Sequence, residues 1–86
     1  PKPVLATKGL FLRFEPKVMK DRHLKLYLGD PEGRRFEAVW WDGVERGKEQ
    51  TLELGRNIEV ANMLDVNSWQ GSERLQLVIE DIRDDN

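Results

Sequence analysis

The sequence predicts an all-β domain, a five-stranded barrel with one short helix between its third and fourth strands. Three observations support this class: short apolar–polar alternations recur along the 86 residues, turn-forming residues separate them, and one segment alone suits a helix. An open sheet of five strands would leave two edges to protect. Closing it into a barrel, with the helix over one end, removes both edges.

The first predicted strand occupies residues 10–15. Leu10, Leu12 and Phe14 lie on one side of it, and Phe11 adds an apolar residue on the other. A strand that is apolar on both sides is typical of one that runs between two packed layers. Pro16 interrupts the hydrogen-bond ladder, so an edge or a bulge is expected there.

The second and third predicted strands form a hairpin. In residues 23–28, three leucines alternate with His23, Lys25 and Tyr27, so those three polar residues share one face. Residues 20–22 form a turn before this strand, and Gly, Asp and Pro at 29–33 form a loop after it. The third strand covers residues 35–41. Which of its two tryptophans points inward is ambiguous, because a bulge would reverse the alternation, and we expect Trp41 in the core and Trp40 partly exposed.

The C-terminal half holds the helix and the last two strands. Residues 44–54 suit a helix of about two to three turns, closed by Gly55. The fourth strand begins at Ile58 and places residues 58, 60, 64 and 66 on one face, with Asn62 among them. Residues 67–72 are expected to be a loop, and residues 75–79 the fifth strand.

These elements define the expected domain limits. Residues 1–8 are a linker or lead-in, 9–83 form the domain, and 84–86 a frayed tail. Because the chain begins Pro-Lys-Pro without a methionine, we expect a piece of a longer or processed protein. The helix position favours the oligonucleotide/oligosaccharide-binding (OB) barrel over the alternative, a small SH3-like barrel. No apolar run reaches the length of a membrane span, so no membrane partner is expected, and a monomer is the default.

Several kinds of chemistry are excluded by the composition. There is no cysteine and a single histidine, so a Cys/His metal cluster or a two-histidine motif is impossible. No phosphate-binding glycine loop is present, and the acidic residues near the C terminus make a poor magnesium site. We therefore expect no catalytic site and no cofactor in this chain.

A nucleic-acid surface is the positive expectation. Residues 1–43 carry nine Lys and Arg against six Asp and Glu, whereas residues 44–86 carry five against ten. In OB barrels the second and third strands and two adjacent loops form the ligand surface, where cations contact phosphates and rings stack on bases. The candidate residues on that surface are Lys20, Arg22, His23, Lys25, Tyr27, Arg34, Arg35, Trp69 and Arg74.

Each candidate has a structural alternative. Lys25 and Arg35 could be solvated strand charges, and Tyr27 could cover the barrel wall. Trp69 could cap the barrel through its ring and its N–H instead of stacking on a base. On that alternative the domain is a structural or protein-docking module, with its tryptophans in the interface and no nucleic-acid binding of its own.

Three stretches resemble a known family. They are HLKLYL at 23–28, FEAVWWDG at 36–43 and LDVNSWQGSERLQLVIEDI at 64–82. Together they are similar to the OB domain near the C terminus of RecJ, the bacterial single-strand-specific DNA exonuclease. The third stretch is the specific one, with its aspartate-x-asparagine, aromatic residue, glycine and Gln-Leu strand.

The resemblance implies a function for the parent protein. RecJ enzymes degrade single-stranded DNA from the 5′ end in repair and recombination, with manganese or magnesium held by an Asp-His-His motif in a separate domain. A chain with one histidine cannot contain that motif. The resemblance thus implies a cytoplasmic domain that binds single-stranded DNA beside the parent's catalytic domain.

Overall fold

The computed structural model describes residues 2–50 and 52–85, and the side chains of Asn67 and Trp69 lie outside the description. The described elements are β1 (Leu5–Leu12), β2 (Lys17–Met19), β3 (His23–Gly29), β4 (Arg35–Trp40), α1 (Gly43–Arg46), β5 (Ile58–Trp69) and β6 (Ser72–Asp84). The strand order is β1-β5-β6-β4-β3-β2, and β1 also pairs with β3. That extra pairing closes a ring of five strands.

The ring confirms the predicted fold class. Neighbouring strands are antiparallel except β4 and β6, which run parallel. The helical turn lies between the third and fourth strands of the ring, β4 and β5. The short β2, which pairs with β3, is an additional strand that the sequence did not predict.

The core fills the ring from the inward faces of its strands. Leu24, Leu26 and Leu28 alternate inward along β3, as predicted. The buried cluster consists of Leu10, Leu12, Leu24, Leu26, Leu28, Ala38, Trp40, Ile58, Val60, Leu77, Ile79 and Ile82. Asn62 is buried among them, and its side-chain oxygen accepts a hydrogen bond from Thr7 Oγ1 at 2.9 Å. This bond explains how a polar residue is tolerated on the apolar face of β5.

The prediction for the two tryptophans was wrong. Trp40 is 1% exposed and Trp41 is 52% exposed. The register between β3 and β4 is continuous, with Leu24 opposite Trp40 and Leu26 opposite Ala38. Because no bulge interrupts β4, the simple alternation from Phe36 carries Trp40 inward and Trp41 outward.

Three predicted boundaries also need correction. β1 begins at Leu5, within the segment 1–8 expected to be a linker, and it pairs there with β5. The helix is one turn, Gly43–Arg46, instead of two to three turns over 44–54. Asp84, expected in a frayed tail, is the last residue of β6, where it pairs with Ile58, and Asn86 lies outside the described residues.

The last hairpin is longer than predicted. Residues 67–72 are not a loop, because β5 and β6 stay paired up to Trp69 and Ser72 around a turn at Gln70 and Gly71. Both turn residues have positive φ, 48° and 79°, as a two-residue hairpin turn of type I′ requires. In the described part of the chain, no helix has the length and apolar character needed to cross a membrane.

Candidate nucleic-acid interface

The outward side chains of β3 and β4 form the candidate site, which we call the outer face. His23, Lys25 and Tyr27 alternate with the buried leucines of β3, so all three point away from the core, as predicted. On β4, Glu37 lies directly opposite Tyr27, and Arg35 is exposed one pleat further along. β6 adds Arg74, which lines the same shallow groove as Tyr27, Arg35 and Glu37.

Charged groups occupy the centre of the outer face. Lys25 Nζ lies 2.8 Å from one carboxylate oxygen of Glu37, and Arg74 Nη1 lies 3.9 Å from the other. The hydrogen bond from Lys25 holds the pKa of Glu37 below its ordinary value of 4.5, against the opposing effect of partial burial. Glu37 is therefore ionised at neutral pH, and its charge offsets part of the positive charge around it.

Aromatic pairs stand on either side of this centre. Tyr27 meets Phe14 edge-to-face at a centroid distance of 6.0 Å, and His23 meets Trp41 in the same way at 4.9 Å. Lys25 Nζ is 5.9 Å from the Tyr27 ring centroid. His23 and Tyr27 are four residues apart on one strand, which separates the two pairs by about 13 Å. Such rings offer platforms on which bases can stack.

Two predicted arginines take part in local structure. Arg34 Nε donates to Asp30 at 2.7 Å, and Asp30 also accepts the backbone N–H groups of Glu32 and Arg34. These bonds hold the pKa of Asp30 below 3.8 although desolvation opposes them, and they order the loop between β3 and β4. Arg22 donates to Asp42 at 2.9 Å beside Trp41. Both guanidinium groups remain largely exposed at the rim of the outer face.

The other two candidates lie further out. Lys20 is exposed in the turn between β2 and β3 with a positive φ of 52°. Trp69 is the last residue of β5, opposite Ser72, instead of lying in a loop. Its side chain lies outside the described residues, so stacking and capping both stay predictions for it.

Sequence reasoning missed four residues of the outer face: Arg13, Phe14, Glu37 and Trp41. The Arg13 guanidinium lies 4.9 Å from the Phe14 ring centroid, and both residues follow β1 at the point where Pro16 was expected to interrupt the ladder. Strict alternation from Phe36 would have placed Trp41 outside. No local signal indicates Glu37, because its approach to Arg74 depends on the parallel pairing of β4 with β6.

The described part of this surface holds no metal site. Among residues 2–50 and 52–85, no three His, Cys, Asp or Glu side chains come together in a geometry that could hold an ion. The residues that do converge are cations, aromatic rings and one carboxylate. This combination is suited to binding a flexible polyanion with flat substituents.

Comparison with known proteins finds one matching family model and several solved structures with a similar fold. The family model described as RecJ OB domain matches residues 1–81. Crystal structures of mitochondrial single-stranded DNA binding proteins from S. cerevisiae, Rim1, superpose with TM-scores of 0.75 and 0.76 at 15% and 16% identity. These superpositions cover 98% and 96% of this chain and 95% and 94% of the Rim1 chains.

A further solved structure has the same fold. The SSB domain of a Synechococcus sp. protein gives a TM-score of 0.67 at 13% identity, over 92% of this chain and 91% of that domain. No curated protein sequence matches the chain. At these identities the structural likeness establishes a shared fold alone.

Proposed function

Because this chain belongs to the family of RecJ OB domains, we propose that it binds single-stranded DNA for a RecJ-like 5′→3′ single-strand-specific exonuclease. The observation that carries the proposal is the order of groups along β3. An aromatic pair, a lysine and a second aromatic pair follow one another on the outer face. Stacking on rings and neutralisation of phosphates together bind single strands without reading their sequence.

The solved structures of the same fold support this assignment. Both the Rim1 proteins and the Synechococcus SSB domain are described by their names as single-stranded DNA binding, or SSB, proteins. In OB barrels the ligand surface is the face of the second and third barrel strands. In this chain those strands are β3 and β4, which carry the outer face.

Catalysis is proposed to reside elsewhere in the parent protein. The Asp-His-His motif expected for the family cannot form here, because the chain has one histidine. The manganese or magnesium of the parent would therefore be held by its catalytic domain, outside this chain. In this proposal the domain is monomeric and lies beside that catalytic domain. The parent protein acts in the cytoplasm, in DNA repair and recombination.

The direct test is a titration of a labelled oligo-dT with this domain, followed by fluorescence anisotropy at low and moderate salt. We expect binding that weakens steeply as salt rises, because phosphate contacts release counterions. The double variant Lys25→Ala/Arg35→Ala should bind all sequences more weakly, with a salt slope smaller by about 0.7 for each lost phosphate contact.

The matched control is Lys8→Ala/Arg56→Ala, which removes the same charge far from the outer face. Lys8 lies in β1 where it pairs with β5, and Arg56 pairs with Asp84 beside β5. We expect near-normal binding by this control. Equal loss in both double variants would contradict a site on the outer face.

Absence of binding by the folded domain at low salt would favour the docking alternative. A separate observation supports that alternative, since Leu64, Val66 and Leu75 are exposed on one face of the last hairpin. Contiguous exposed aliphatic residues often mark protein contacts. Of the tryptophan interface expected earlier, Trp40 is excluded because it is in the core, Trp41 is exposed, and the Trp69 side chain lies outside the described residues.

A further inference from the structure

Glu37 is a carboxylate in the middle of a surface proposed to bind anions. Its side chain is 41% exposed, and its two oxygens face two different cations. Lys25 comes from β3 and Arg74 from β6, and these strands flank β4 on its two sides. The carboxylate thus connects the two cations across the centre of the outer face.

A phosphate and this carboxylate need the same partners. Both are anionic oxygen acceptors, and the Lys25 ammonium has three N–H groups to share between them. The Lys25 side chain is 29% exposed, so its stem is packed and its position is restricted. A phosphate that reaches Lys25 must therefore approach the Glu37 carboxylate, and the two negative charges repel each other.

On the premise of the proposed function, we propose that Glu37 is an intramolecular competitor of the DNA phosphates. In the free domain it lies 2.8 Å from Lys25 Nζ and 3.9 Å from Arg74 Nη1, and a bound strand competes with it chiefly for Lys25. This competition lowers affinity, because a phosphate that contacts Lys25 weakens its ion pair with Glu37 and meets the Glu37 charge. It also lowers counterion release, because a lysine that stays paired with Glu37 neutralises less phosphate charge and displaces fewer condensed ions from the DNA.

The competitor is specific to this position on the barrel. Other pairs lie at the rim: Asp30 pairs with Arg34 within one loop, and Asp42, which follows β4, pairs with Arg22 of the turn before β3. Glu37 instead stands opposite Tyr27 and reaches Lys25, the residue that lies between the two aromatic pairs. Its removal is therefore expected to affect binding more than the removal of any peripheral carboxylate.

The test is Glu37→Gln, which keeps the shape and removes the charge. We expect its affinity for labelled oligo-dT at low salt to rise by about 3- to 10-fold, the effect of one unit charge at about 6 Å in a strongly screened medium. The salt slope should steepen by about 0.7 for each recovered phosphate contact, so the gain should shrink as salt rises.

Glu53→Gln is the matched control. Glu53 forms an ion pair with Arg56 at 3.8 Å near β5, and its replacement changes the net charge by the same amount. The control should change affinity by less than about 2-fold, because separated surface charges are screened at ordinary salt. Equal gains in both variants would assign the effect to net charge and overturn the proposal.

Repeating the Glu37 substitution in a Lys25→Ala variant tests whether the competition is for Lys25. In the Lys25→Ala domain, Glu37→Gln should produce a smaller gain than in the wild-type domain, because the main contested donor is already gone. An undiminished gain would overturn the competition for Lys25. Thermal melts of all variants establish that each one is folded before affinities are compared.

The outcomes separate this inference from the function on which it rests. Binding by the wild-type domain with no gain in Glu37→Gln would overturn the competitor role and leave the binding function intact. Absence of binding by both folded proteins at low salt would overturn the binding function and the competitor role together.

Discussion

Two adjacent tryptophans show how one residue decides between packing and binding. Trp40 is the last residue of β4 and fills the barrel beneath α1, with its indole N–H buried and without a hydrogen-bond partner. Trp41 follows the strand, stands against His23 and exposes half of its surface. The same side chain therefore contributes to the core at one position and to the outer face at the next.

Replacement of Trp41 by alanine should weaken binding of single-stranded DNA by about 1–3 kcal/mol, the usual effect of losing one base stack. Stability should change little, because the ring packs on the surface. Anisotropy measures the affinity, and the DNA-dependent quenching of tryptophan fluorescence should fall in parallel.

Val18→Ala is a suitable control for that variant, since Val18 is exposed on β2 and presents no ring. It should bind like the wild-type domain. Full affinity together with undiminished quenching in Trp41→Ala would remove Trp41 from the site.

At the scale of elements, α1 is a single turn that packs directly against Trp40. A side chain at Gly43 would place its Cβ 2.9 Å from Trp40 Cβ, and one at Gly47 would lie 2.8 Å from Trp40 Cζ3. Glycine allows the backbone to come this close to Trp40, to its Cβ at the start of the turn and to its ring at the end. We call α1 the lid, because its single turn of four residues covers Trp40 of the core.

Gly47→Ala should destabilise the domain by about 1–3 kcal/mol, because the added methyl group overlaps the Trp40 ring. The φ of Gly47 is −100°, so the expected loss is steric and does not arise from backbone strain. Urea unfolding followed by circular dichroism measures the loss. Lys48→Ala, at the exposed neighbouring residue, should stay close to the wild-type value, and a stable Gly47→Ala would show that the lid can move away from the ring.

At the scale of the whole molecule, the barrel ends partway along β6. Leu77 and Leu75 are on the same face of that strand, yet Leu77 is 4% exposed and Leu75 is 52% exposed. β4 pairs with β6 at residues 76–78, so the hairpin beyond this point projects past the barrel. The exposed aliphatic strip is the continuation of the core face onto that projection.

Leu77→Ala should lower the free energy of unfolding by about 2–5 kcal/mol, a large part of the stability of a small domain. Leu75→Ala removes the same atoms two residues away and should change it by less than about 0.5 kcal/mol. Equal losses in urea unfolding would mean that the projecting hairpin is covered in solution, by a second copy or by its own rearrangement.

The sequence by itself determined the barrel class, the connections at residues 20–22 and 29–33, and the outward set His23, Lys25 and Tyr27. These features follow from alternation and turn chemistry, which act over a few neighbouring residues. The orientation of Trp40 and Trp41 was open because one bulge would have reversed it, and bulges arise from pairing with another strand.

Only the tertiary structure decided the length of α1, the exposure of Leu64 and Val66, and the meeting of Glu37 with Arg74. Each of these depends on the pairing of strands. The position of α1 follows from the pairing of β3 with β4, and the exposure of Leu64 and Val66 from the extension of the β5–β6 hairpin beyond the barrel. The meeting of Glu37 with Arg74 follows from the parallel pairing of β4 with β6. Alternation assigns a residue to a face of its own strand. The contacts of that face are set by long-range register, which a local pattern does not encode.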